Sequence, residues 1–225
     1  MYLVLFDVDG TLIDSQYMIL TAMERAFVRF DLAPPSRADV LSIIGLSLDV
    51  AVARLLGEAK VPVAAICGAY KDAFFELRSG DGRHEPLFPG AREVLDRLAA
   101  RDDLVLGLAT GKSMRGVRSI LDYHDLHGRF ATLQTADGNP SKPHPGMIHA
   151  ALAETGIPAE RCAIVGDTGW DIGMGRAAGV VAVGVSWGYQ SRAALEAAGA
   201  DAIVDDFAEL DPALDRLFGR TAADA

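Results

Sequence analysis

Six short apolar runs punctuate the chain: "YLVLFDV" (2–8), "DLVLGLAT" (103–110), "FATLQT" (130–135), "CAIVGD" (162–167), "VVAVGVSW" (180–187) and a weaker "DAIVD" (201–205). They are nearly continuous rather than alternating, which is the pattern of strands buried on both faces. Helical patterns separate them, so the runs predict parallel strands joined by crossover helices. The spacing breaks once. Between the first run and the second, from residue 14 to about 102, the pattern is mostly helical, in "DSQYMILTAMERAFVRF", "SRADVLSIIG", "LDVAVARLLGEAK" and "PVAAICGAYKDAFFELR". The Gly- and Pro-rich "SGDGRHEPLFPG" (79–90) then reads as a return linker before "AREVLDRLAAR" resumes the crossover pattern. The expected architecture is therefore α/β. A doubly wound, mostly parallel sheet is built from residues 1–13 and 88–225, and an α-helical cap of residues 14–87 is inserted just after the first strand.

Composition narrows this picture. A chain of 225 residues with 50% hydrophobic content can bury a sizeable core. Thirty-one acidic residues against 21 lysines and arginines give a formal charge of −10, which argues against nucleic acid and anionic membrane as partners. A small anionic ligand would then need a local positive site. Cys67 falls in a helical pattern and Cys162 beside a strand, so both are expected in the core, without a disulfide, in a reducing compartment. The chain shows no basic leader and no apolar stretch long enough to span a bilayer, so the expected localisation is cytoplasmic. Nothing in the pattern specifies an oligomeric state.

Candidate chemistry collects at the strand ends. In a doubly wound sheet, ligands bind beyond the carboxyl ends of the strands, near the switch in strand order. The first strand delivers Asp7 and Asp9 there, the second Thr110 and Gly111, and the fourth Asp167, followed by Thr168 and Asp171; Lys142 lies in "SKPHPG" after the third. Two carboxylates at the lip of a buried strand repel each other and lose hydration unless something neutralises them. Acidic oxygens gathered with room for water suit a hard divalent cation such as Mg²⁺. Each piece alone has a plainer reading: Asp-x-Asp-Gly as turn chemistry, Lys142 as a solvated lysine, Asp167 and Asp171 as helix caps, Trp170 as packing. The joint placement on successive strand ends outweighs those readings. Two other motifs do not survive inspection. "GLATGKS" lacks the P-loop glycine five residues before Gly111, where Leu106 stands, and the first glycine of "GMGRAAG", Gly173, lies beyond the strand end, where a dinucleotide-binding turn could not form. The histidines, "HDLH" (124–127) included, have no cysteine partners at zinc-site spacing.

"DVDGT" (7–11), "LATGK" (108–112), Lys142 in "SKPHP" and "GDTGWDIGMGRAAG" (166–179) together resemble, in order, the four motifs of haloacid dehalogenase-like hydrolases. The "DS" after "DGTLI" and the "GLSL" at 45–48 are similar to the phosphoglycolate phosphatase-like branch. That resemblance implies a Rossmann-like core with a helical cap, and a Mg²⁺-dependent phosphatase acting on a small phosphorylated metabolite, phosphoglycolate-like or a sugar phosphate. It implies Asp7 as nucleophile, Asp9 as general acid and base, and Thr110, Gly111 and Lys142 as phosphate ligands. Asp7, Asp9, Asp167 and Asp171 would then form the Mg²⁺ site, with Asp171 either a direct ligand or one step removed. A sugar phosphomutase would keep the same residues. A dehalogenase would not need Asp9, and a dinucleotide-binding oxidoreductase or a noncatalytic binding protein fits the full set poorly.

Overall fold

The computed structural model describes residues 1–80 and 84–219. Residues 81–83 of the expected return linker lie outside the described residues. The six apolar runs form six strands: β1 (Tyr2–Phe6), β2 (Leu104–Thr110), β3 (Thr132–Thr135), β4 (Cys162–Gly166), β5 (Val181–Val185) and β6 (Ala202–Val204). All pair in parallel, in the order β3-β2-β1-β4-β5-β6. The order reverses direction at β1, so the crevice expected of such a sheet opens beyond the carboxyl ends of β1 and β4. The register pairs Phe6 with Leu108 on one side and with Val165 on the other, which brings the residues following all three strands to one rim.

Residue parity along β1 shows why its run is unbroken. Val4 and Phe6 enter one apolar cluster, while Leu3 and Leu5 enter another on the opposite face. The first cluster is covered by α5 (Ala91–Ala99), α6 (Met114–His124) and α10 (Leu210–Leu217). The second is covered by α7 (Gly146–Thr155), α8 (Gly169–Ala178) and α9 (Arg192–Ala198). Every strand is a little shorter than its apolar run, and at two of them the excess includes an aromatic residue. Phe130 precedes β3 and Trp187 follows β5, yet both rings pack on the first cluster, because apolar character marks burial and not ladder pairing.

The helical stretch after β1 forms α1 (Gln16–Val28), α2 (Arg37–Ile43), α3 (Leu48–Leu56) and α4 (Val63–Ser79). These helices share an apolar cluster of their own, including Met18, Met23, Phe27, Val52, Ile66 and Phe74. The two passages between them and the sheet run side by side: Ile13 bridges Leu87, the Asp14 amide donates to Pro86 O (2.9 Å), and the Phe88 amide donates to Leu12 O (2.9 Å). Among the described residues, no helix is long and apolar enough to cross a membrane.

Candidate active site

Asp7 follows β1 directly and is 1% exposed. Its amide donates to Val165 O (2.9 Å), which ties it to β4. Its Oδ1 accepts from the Val8 amide (2.7 Å) and sits 3.0 Å from Lys142 Nζ. Lys142 is fully buried and also reaches Asp171 Oδ1 at 2.6 Å. The other oxygen of Asp171 accepts from the Thr168 hydroxyl (2.6 Å) and amide (3.1 Å) in a capping box at the start of α8. Asp171 is thus both a helix cap and the counter-charge of Lys142. Asp167 accepts from the Thr11 hydroxyl (3.1 Å) and the Tyr189 amide (2.8 Å). Gly10 makes room for it. With φ at +86°, it turns the chain sharply, and a Cβ there would lie 2.3 Å from Asp167 Oδ2.

Asp7, Asp167 and Asp171 each offer an oxygen within 4.8 Å of the others. Asp9, placed with them by the sequence, is not part of this trio. Its Oδ1 accepts from the Ser15 hydroxyl and pairs with Lys112 Nζ at 2.8 Å. Thr110 ends β2, buried, with its hydroxyl accepting from the Lys112 amide (3.3 Å). Asp7, Asp9, Thr110 and Gly111 line one cavity of about 910 Å³, whereas Lys142, Asp167 and Asp171 do not reach its wall.

The electrostatics of the trio follow from its burial. Desolvation pushes the Asp7 carboxyl up to about 7; Lys142 opposes this, while Asp171 and Asp9 reinforce it. Asp167 is driven well above the usual carboxylate range, first by burial and then by Asp171 and Asp7. Burial alone would pull the Lys142 ammonium down, but Asp171 and Asp7 outweigh it and hold the group at about 12. One ammonium faces three carboxylates. Asp7 Oδ2 is moreover buried with no partner among the described residues. An unpaired carboxylate oxygen beside two further carboxylates, with no sulfur or imidazole in the set, fits a hard cation such as Mg²⁺.

Residues 4–185 match the family model of haloacid dehalogenase-like hydrolases. The chain belongs to that family. It is 34% identical over 214 residues to the "Probable phosphatase IndB" of Dickeya dadantii, covering 92% of this chain and 91% of that one. It is 33% identical over 214 residues to the phosphoglycolate phosphatase of Rhodospirillum rubrum, covering 92% and 88%. The crystal structure of a hydrolase from Pseudomonas syringae superposes with a TM-score of 0.83 at 26% identity, over 96% of this chain and 99% of that one. Within the family the chain sits in the phosphoglycolate phosphatase-like branch, and its class of activity is that of a phosphoric monoester hydrolase.

In this haloacid dehalogenase-like hydrolase the cap helices rest on the rim of the sheet. The Ser47 amide donates to the Ser141 hydroxyl (2.9 Å), and the Trp170 indole donates to Ser42 O (3.2 Å). Trp170 packs on Ile43, Leu46 and Ala51 with the Arg54 guanidinium 4.6 Å above its ring, so it is a packing residue between α8 and the cap. A Cβ on Gly111 would lie 2.4 Å from Leu46 O, so the chain between α2 and α3 approaches the site as closely as a glycine allows. Three neighbours of the site carried no role in the sequence. Lys112 was visible only as the end of "LATGK", and Ser15 only as the "DS" after the first motif. Tyr189, whose hydroxyl accepts from the Ser15 amide (2.9 Å) and reaches Asp14 (3.3 Å), had no signal at all.

Proposed function

We propose that the chain is a Mg²⁺-dependent phosphatase that hydrolyses a small phosphomonoester through an aspartyl-phosphate on Asp7. One observation carries the assignment of the nucleophile: of the three clustered carboxylates, only Asp7 lines the cavity, and its Oδ2 has no partner among the described residues. Attack by the Asp7 carboxylate on phosphorus forms the acyl-phosphate bond as the ester P–O bond breaks, and Asp9, protonated, gives its proton to the departing alkoxide. A water then attacks the same phosphorus, Asp9 takes its proton, and Asp7 is released with inorganic phosphate. The Thr110 hydroxyl and Gly111 amide are the donors for the phosphoryl oxygens, where charge develops.

Two anions meeting at about 3.5 Å repel by roughly 5 kcal/mol at an effective dielectric near 20, so positive charge must be close. Lys142 supplies part of it from behind Asp7. Asp7, Asp167 and Asp171 would hold Mg²⁺, which when bound supplies the remaining charge and neutralises the trio. Activity towards phosphomonoesters is expected to disappear in excess EDTA and to return with Mg²⁺. Full activity in EDTA, with no metal in the protein, would overturn the reading.

A further inference from the structure

The cavity that Asp7 and Asp9 open into is larger and more apolar than a phosphorylated two-carbon acid or a sugar phosphate requires. Its volume of about 910 Å³ lies near the top of the range, about 300–1,000 Å³, of clefts that enclose drug-sized ligands. At roughly 30 Å³ of liquid per water, a ligand of a few carbons would leave most of it hydrated. The cap is already docked through Ser47, Trp170 and the Leu46 carbonyl. The space is therefore not simply the gap beneath a lifted lid.

The cap side of the wall is mainly apolar, with Met23, Leu48, Val63, Phe74 and Phe75 among its lining residues and polar groups such as Asp49, Tyr70 and Lys71 interspersed. Phe75 is 62% exposed, an aromatic surface on α4 with no apolar cover. The two cations nearest the apolar floor of the cavity are engaged. Arg78 is held in a two-bond pair by Glu85 (2.6 and 2.7 Å) and Lys112 by Asp9 (2.8 Å), while Lys71 is exposed at the solvent side of the wall. Arg115 also lines the cavity, exposed on α6.

We infer that the substrate is a phosphomonoester with an uncharged, apolar body of about six or more carbons, its phosphate at Asp7 and Thr110 and its body against Met23, Leu48, Val63, Phe74 and Phe75. This rests on the phosphatase reading above for the chemistry, but the apolar wall can be tested without turnover. Calorimetric titration of the Mg²⁺-loaded protein with ethyl-, butyl-, hexyl- and octylphosphonate, which cannot be hydrolysed at the P–C bond, reads the body alone. Full burial is worth about fourfold in affinity per methylene, so a gain of at least thirtyfold from ethyl to octyl is expected even with partial burial. Val63→Asp and Phe75→Glu should each cut the octyl-to-ethyl affinity ratio at least fivefold. A flat series, a ratio unmoved by both substitutions, or phosphonoacetate binding tighter than octylphosphonate overturns the proposal. The matching n-alkyl phosphates share nearly one leaving group, so their kcat/KM should climb with chain length in parallel. If the phosphonates show that climb while no monoester is hydrolysed, p-nitrophenyl phosphate included, the apolar-bodied ligand stands and the phosphatase reading falls.

Discussion

Asp7, the proposed nucleophile, is also the carboxylate that burial perturbs to about 7, from an ordinary value of 3.8. Between those values an unfolded chain has lost the proton that the folded one keeps, so in metal-free protein folding weakens as pH rises through this window and levels off above it. Asp167, raised for the same first reason, acts in the same direction. The melting temperature of metal-free protein is expected to fall from pH 5 to pH 7.5. Asp7→Asn should flatten that fall, raise the melting temperature at pH 7.5 by about 3–8 °C, and abolish turnover, because an amide is a poor nucleophile. A steeper pH dependence in the variant, by differential scanning calorimetry, would count against the assignment. Asp9 stands apart, held by Lys112 and Ser15 outside the trio. Asp9→Asn is expected to slow turnover of alkyl phosphates by about 10²–10⁴-fold while an activated aryl phosphate still labels Asp7. Rapid quench with labelled substrate checks it; label on another residue, or unimpaired alkyl-phosphate hydrolysis, would overturn the division of roles.

Among the elements, the connection between α2 and α3 lies close against the site, lining the cavity through residues 44–47. Trp170 at the start of α8 anchors it through Ser42 O and the apolar side chains of Ile43 and Leu46, and Gly111 after β2 accepts its backbone at close range. Cation–π contact with Arg54 adds about 0.5–1 kcal/mol to that seat. Gly111→Ala would set a methyl group against the Leu46 carbonyl and push this segment outward. The expected result is a KM at least tenfold higher, faster hydrogen exchange over residues 42–48, and little change in the exchange of β1 and β4. An unchanged KM with unchanged exchange would show that the segment yields without consequence. The passage from β1 into α1 touches the site as well. Ser15 is fully buried, its hydroxyl on Asp9 and its amide on Tyr189, so it ties the start of α1 to the carboxylate proposed to carry the proton.

For the whole molecule, two joints connect the helical module to the sheet, and relative motion of the two parts would concentrate there. We expect hydrogen exchange over residues 14–16 and 80–90 to be faster than in either apolar cluster and to slow when an alkylphosphonate is bound; residues 81–83 of the second joint lie outside the described residues. Strong, equal protection in the free and bound states would rule out a moving lid. The strands and their parallel arrangement were legible along the chain because the central ones are buried on both faces, and an unbroken apolar run such as "YLVLF" is the direct chemical record of that burial. The four helices after β1 were legible for a similar reason, as apolar stripes at helical spacing. Run ends were not, since Phe130 and Trp187 are half-buried against the core without belonging to a strand. In the site, Asp7, Thr110, Lys142, Asp167 and Asp171 could be gathered from sequence because each lies at the end of a strand or in the segment that follows one, and topology alone sends strand ends to one rim. What the chain could not state was which charges meet. That Lys142 bridges Asp7 and Asp171, that Asp9 turns instead to Lys112, and that Tyr189 holds a residue 174 positions away were decided only by tertiary structure. The size of the cavity was decided there too. Those pairings depend on distances of a few ångströms between side chains remote in sequence, and neither periodicity nor composition encodes them.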